Sequence, residues 1–215
     1  LECIDSTNDF GSLRYKYMPF ILFPKINEIY SRFIKKESYE KIERLHGDGI
    51  QIGSNSPECL DEVFWINKIY KKYNFKICLK PHSVSKRDLQ DFNFLINQYL
   101  NIENKKRFIM KNNNLHLRII NQAKFYRNSF FLVIFRNPIA HSKSLLRIHK
   151  KFIQKQKEDP FILEYMNLIG HWEFGINKKY FIYENYQKKI LKYLNNNSLE
   201  YWINQWIFTY RWLLS

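Results

Sequence analysis

The sequence predicts an open α/β domain with a central parallel sheet flanked by helices and a mostly helical last third. Three observations predict it. Short apolar runs alternate with longer amphipathic stretches. The runs, "FFLVIF" at 130–135 above all, are continuously apolar instead of alternating, as strands buried on both faces are. Strand and helix in alternation favour parallel pairing through helical crossovers.

The elements follow in order. "GIQIG" (49–53) reads as a strand, and a helix is expected from "SPECLDEVFWINKIYKKY", with Ser56 as cap, Pro57 in the first turn and Glu58 as early negative charge. "FKICLKP" is a second strand and "SKRDLQDFNFLINQYL" a second helix, capped by Ser85. "RFIMKN" leads into "NNLHLRIINQAKFY", and "FFLVIFRNP" into a helix around "SKSLLRIHKKF". From Pro160 onward the pattern is helical, and "YWINQWIFTYRWLL" sets Trp202, Trp206, Tyr210 and Leu213 at helical spacing, as core packing.

The chain has 215 residues, enough for one domain with a substantial core, and no repeat or Pro/Gly-rich linker divides it. An aromatic content of 18% argues against disorder. The net charge of +15 draws anions: a phosphorylated small molecule, an acidic membrane face or nucleic acid. The lysines are scattered ("KKES", "YKKY", "ENKKR", "HKKF") with no RNA-binding or zinc-finger signature, so nucleic acid is not the expected partner. Cys3, Cys59 and Cys78 are odd in number and lack CxxC spacing, which fits a reducing, cytoplasmic setting. No apolar run reaches the roughly 18 residues of a membrane span. Peripheral membrane contact is compatible with the basic surface.

Arg136 stands at the end of the apolar run, Asn137-Pro138 makes the turn, and Ser144 follows eight residues after the arginine. Ligands of open α/β sheets bind beyond the carboxyl ends of strands. A guanidinium offers five N–H donors on a planar fork suited to a phosphate, and a serine hydroxyl adds one more. The alternative is that Arg136 pairs with a carboxylate while Ser144 only caps or back-bonds.

Strand, R-[DN]-P, five residues and S resembles the 3′-phosphate-binding segment of sulfotransferases that use 3′-phosphoadenosine 5′-phosphosulfate (PAPS). "FIMKNNNLHLRI" is similar to the family's upstream K-N/T-x-N-x-x-R-I segment. "FRNPIAHSKSLLRIHKKFIQKQKEDPFILEYMNLIGHWEFG" resembles a bacterial branch of it, as do "YKYMPFILFP", "HGDGIQIGSNSPECLDEVFW" and "YWINQWIFTYRWLL" in the same order.

The resemblance implies a fold like that of the P-loop nucleotide kinases and transfer of a sulfuryl group from PAPS to an acceptor hydroxyl on a carbohydrate or small metabolite, with no bound metal. Arg136 and Ser144 would grip the donor's 3′-phosphate, and Lys111 would face the donor. Asn137 stands where the family usually has Asp. The family's Gly-rich phosphosulfate loop has no counterpart among the six glycines. The chain is therefore expected to be a piece of a single sulfotransferase-like domain, truncated at both ends, that binds the donor weakly and catalyses poorly.

For the general base, the expected candidates are His46 and Asp48 of "LHGDGI". His46 could instead cap the preceding helix, and Asp48 could simply make the turn. Lys16 would stabilise the bridging oxygen. "GHWEFG" places His171 and Glu173 two apart, but with His149 they form no convincing metal set. Two competing readings are a non-catalytic anion- or nucleotide-binding relative and a basic nucleic-acid-binding domain.

Overall fold

The computed structural model describes residues 1–33, 41–45, 47, 49–58 and 60–215, with the backbone alone at 31–33. In chain order the elements are α1 (Glu2–Asp5), β1 (Phe10–Gly11), α2 (Pro24–Phe33), β2 (Ile42–Glu43), β3 (Gln51–Ile52), α3 (Glu62–Tyr73) and β4 (Cys78–Leu79). Then come α4 (Lys86–Glu103), β5 (Arg107–Phe108), α5 (Ile119–Phe125), α6 (Pro138–Glu158), α7 (Pro160–Leu168), β6 (Tyr180–Phe181), α8 (Asn185–Tyr193) and α9 (Leu199–Leu214). The chain is thus mixed α/β, with a helical last third as expected.

Two of the strand pairs are parallel, β1 with β5 and β4 with β6. The third, β2 with β3, is antiparallel. "GIQIG" is therefore a hairpin strand and not part of a parallel ladder. Each pairing spans two residues, so the ladders among the described residues are short.

The described residues form two compact units, Leu1–Lys68 with Val84–Leu115, and Ile69–Ser83 with His116–Ser215. The division falls inside α3, where Ile69 (φ −140°, ψ 19°) breaks the helical backbone. In the first unit the long helix is α4. Ser85 caps it as predicted, its hydroxyl accepting from the Asp88 N–H at 3.1 Å. Leu89, Phe92, Leu95, Ile96 and Tyr99 form its buried stripe at helical spacing, and Phe92 meets the rings of Phe64 (5.1 Å) and Trp65 (4.7 Å). Burying each such side chain contributes roughly 1.5–3 kcal/mol.

Ser56 does not cap α3. Its hydroxyl accepts from the Gly53 N–H at 3.1 Å, while Pro57 bridges Arg14, so the helix starts at Glu62 instead. A nearby backbone donor and a strand-like contact outcompete helix initiation there.

In the second unit Cys78, Ile182, Leu191, Tyr201, Trp202 and Phe208 make the core, with Leu145 and Leu146 of α6 packed on it. His149 of α6 is fully buried and accepts the Gly175 N–H at 3.0 Å, while Gln156 accepts the Ile176 N–H at 2.7 Å. Gly175 needs to be glycine: its φ is +82°, and a Cβ there would lie 2.2 Å from the Gln156 side chain.

The run 130–135 departs most from expectation. It forms no ladder and is exposed, with Phe130 at 100% and Ile134 at 74%. The one hydrogen bond to its backbone among the described residues comes from the Tyr210 hydroxyl to the Ile134 carbonyl, at 2.6 Å. An apolar run becomes a buried strand only where a neighbouring strand supplies the matching amides and carbonyls, and none among the described residues does. Arg136 accordingly follows a segment outside any strand, not the end of a sheet strand.

Candidate functional site

Each unit carries one cluster of the predicted residues. In the second unit, α6 starts at Pro138 with Asn137 as cap, the Asn137 Oδ1 accepting from the Ala140 N–H at 3.0 Å. Asn137, His141 and Ser144 fall at i, i+4 and i+7, on one face of the helix. Arg136 precedes the cap, is exposed, and forms no ion pair or hydrogen bond among the described residues. The alternative, in which a carboxylate locks it, finds no such partner among the described residues.

The guanidinium is nonetheless felt on that face. Burial first, and then the Arg136 charge, hold the His141 pKa below its ordinary value. His141 Nδ1 accepts from the Trp206 indole at 3.2 Å, so the neutral ring is fixed. Ser144, half-buried, makes no side-chain hydrogen bond among the described residues. Beside them Phe135 meets Trp206 and Tyr210 of α9, each at 5.3 Å, and those two rings lie 4.3 Å apart. This side of the predicted aromatic stripe is only half-buried, whereas the α9 core positions are Tyr201, Trp202, Gln205 and Phe208.

In the first unit, Lys16 lines a polar cleft of about 390 Å³. Its hub is Glu103, at the end of α4. Glu103 accepts from Arg14 Nε (2.6 Å), the Tyr17 hydroxyl (2.6 Å) and the Ser12 N–H (3.1 Å), and Lys16 Nζ stands 3.8 Å away. Burial pushes the Glu103 carboxyl up, but the hydrogen bonds from Arg14 and Tyr17 and the Arg14 charge outweigh it and leave it below the ordinary range. Tyr17 moves the other way: burial and the neighbouring carboxylate push its hydroxyl far above the usual phenol value.

Arg14 also holds Asp5 through both carboxylate oxygens at 2.8 Å. Sequence reasoning missed Glu103 and Asp5, because Glu103 lies 89 residues from Arg14. Lys111 is exposed, three residues past β5, and does not line this cleft. His46 and Asp48 lie outside the described residues, as does Cys59.

His171 and Glu173 approach to 3.8 Å, and among the described residues no group of His, Cys, Asp or Glu is arranged to hold a metal ion. Lys178 is a further unusual group. Its ammonium lies 4.5 Å from the Tyr201 ring and 4.9 Å from Trp202, and burial pushes its pKa down to about 7. His149, buried close by, is held down to about 4, first by burial and then by the Lys178 charge. Cys3 and Cys78 are free thiols. No helix among the described residues is long and apolar enough to cross a membrane.

No protein-family model, curated protein or solved structure matches the chain.

Proposed function

We propose that the chain is the core of a PAPS-dependent sulfotransferase of the bacterial cytoplasm, moving a sulfuryl group to an acceptor hydroxyl. In this reading Arg136 and Ser144 hold the donor's 3′-phosphate, Lys111 assists the donor, Lys16 stabilises the bridging oxygen, and His46 or Asp48 accepts the acceptor's proton. The fold proposed with it is a central parallel sheet of the P-loop nucleotide-kinase kind; each unit holds one short parallel pair.

The observation that carries the reading is the setting of Arg136. A cation beside a helix N-terminus is electrostatically unfavourable, because the helix presents about half a positive charge there. Arg136 has that position at the start of a 21-residue helix and no acidic partner among the described residues. An anion bound there would relieve both the guanidinium and the helix end. The face carrying His141 and Ser144 adds a hydroxyl, and a neutral imidazole adds no charge that a phosphate would have to oppose.

Sulfuryl transfer, like phosphoryl transfer, depends mainly on positioning and charge stabilisation. Loss of one charge-assisted contact should therefore appear directly in donor affinity. In calorimetric titrations with adenosine 3′,5′-bisphosphate, Arg136→Ala should weaken binding by at least about tenfold and Ser144→Ala by several-fold, from net bond energies of roughly 1–3 kcal/mol. Equal affinity in wild type and Arg136→Ala would remove the reading.

A further inference from the structure

The cleft around Lys16 differs in character from the rest of the chain. Although the protein carries a net charge of +15, the lining here sets Glu28 and Glu103 against Arg14, Lys16 and Lys105, and Asp5 holds Arg14 from outside the lining. The Arg14 guanidinium has no N–H to spare: Nε and Nη2 point to Glu103, Nη1 and Nη2 to Asp5, and Nη1 to the Asn55 carbonyl. An anion entering the cleft would meet two carboxylates and a saturated guanidinium.

Apart from these and the Lys16 and Lys105 ammonium groups, the rest of the lining is neutral. Asn27, only 4% exposed, directs its amide N–H groups to the Tyr17 carbonyl (2.6 Å) and the Tyr99 hydroxyl (3.4 Å). That leaves its Oδ1 as an acceptor. The Asn55 side-chain amide makes no hydrogen bond among the described residues, and Asn8 uses only its Oδ1, towards Lys105. Side-chain amides offer donors and acceptors together, which complements hydroxyl groups that both donate and accept. Ile102, 39% exposed, adds an apolar wall. The volume of about 390 Å³ falls within the ~300–1,000 Å³ range of small-molecule sites.

We propose that this cleft binds a neutral, polyhydroxylated ligand, a saccharide, in preference to an anion. Binding stands on the cleft alone. Only its use as the seat of the acceptor, with Lys16 beside the reacting hydroxyl, rests on the sulfuryl-transfer reading.

Saturation-transfer NMR on the whole chain tests it, with glucose, N-acetylglucosamine and maltose as probes and inorganic sulfate as competitor. Asn55→Ala removes an exposed amide while leaving the backbone carbonyl that holds Arg14, and Ile102→Arg fills the cleft from its apolar wall. Melting temperatures report whether both variants fold. At least one saccharide should give a saturable signal that sulfate does not displace, weakened about tenfold in each variant, as for one or two lost hydrogen bonds or an obstructed wall. No saturable signal from any probe, unchanged affinity in both variants, or displacement by equimolar sulfate would overturn the proposal. No donor nucleotide is present in the experiment, so its failure leaves the Arg136 reading standing, and failure at Arg136 leaves the saccharide site standing.

Discussion

Glu103 gathers Arg14, Tyr17 and the Ser12 N–H onto one carboxylate that is 7% exposed. Removing its charge leaves a nearly buried guanidinium with Asp5 as its remaining carboxylate partner. Glu103→Gln should therefore cost about 2–4 kcal/mol of stability, measured by urea unfolding at neutral pH. The pH dependence has a definite sign. The folded-state pKa lies below the ordinary value of 4.5, so the stabilisation is complete above that pH and is lost as the pH falls through the folded value. Glu103→Gln should flatten the acid limb, and an acid limb of unchanged steepness would contradict the assignment. Lys16 could be singled out in the sequence because it sits in a short basic-aromatic stretch. Its partner could not, since nothing local to Arg14 signals a carboxylate 89 residues away.

Helix starts are legible where the cap is decided locally. Ser85 caps α4 as its sequence predicts, and Pro138 opens α6 after the expected Asn137-Pro138 turn, because a cap depends on neighbours only three residues away, whereas Ser56 is drawn off to the Gly53 N–H and caps nothing. Asn137 also joins fold to site. Asn137→Asp should keep the cap and add about 0.5 kcal/mol through the helix dipole, while affinity for adenosine 3′,5′-bisphosphate stays within severalfold of wild type, since the family that the segment resembles usually has Asp there. Thermal melts and calorimetry on the same variant check both effects. Strands were less legible because their pairing is not local. "GIQIG" holds a strand, as its pattern predicts, but takes an antiparallel partner, and 130–135 carries a strand's composition with no ladder. An apolar run states what it could bury, whereas its partner is written elsewhere in the chain.

Across the whole molecule, composition and charge described a basic chain with a helical last third, and the structure has mixed α/β elements with two parallel strand pairs. A net charge of +15 by itself would attract any polyanion, with an affinity that falls steeply as salt rises. A site for a nucleotide's 3′-phosphate behaves differently, since it distinguishes two adenine nucleotides that differ only there. The most direct measurement is the ratio of affinities for adenosine 3′,5′-bisphosphate and adenosine 5′-phosphate, at low and at physiological salt, in wild type and Arg136→Ala. The expected ratio is about ten or more in wild type, from one charge-assisted contact, persisting at the higher salt and collapsing towards one in Arg136→Ala. A wild-type ratio near one, or a ratio untouched by Arg136→Ala, would contradict it.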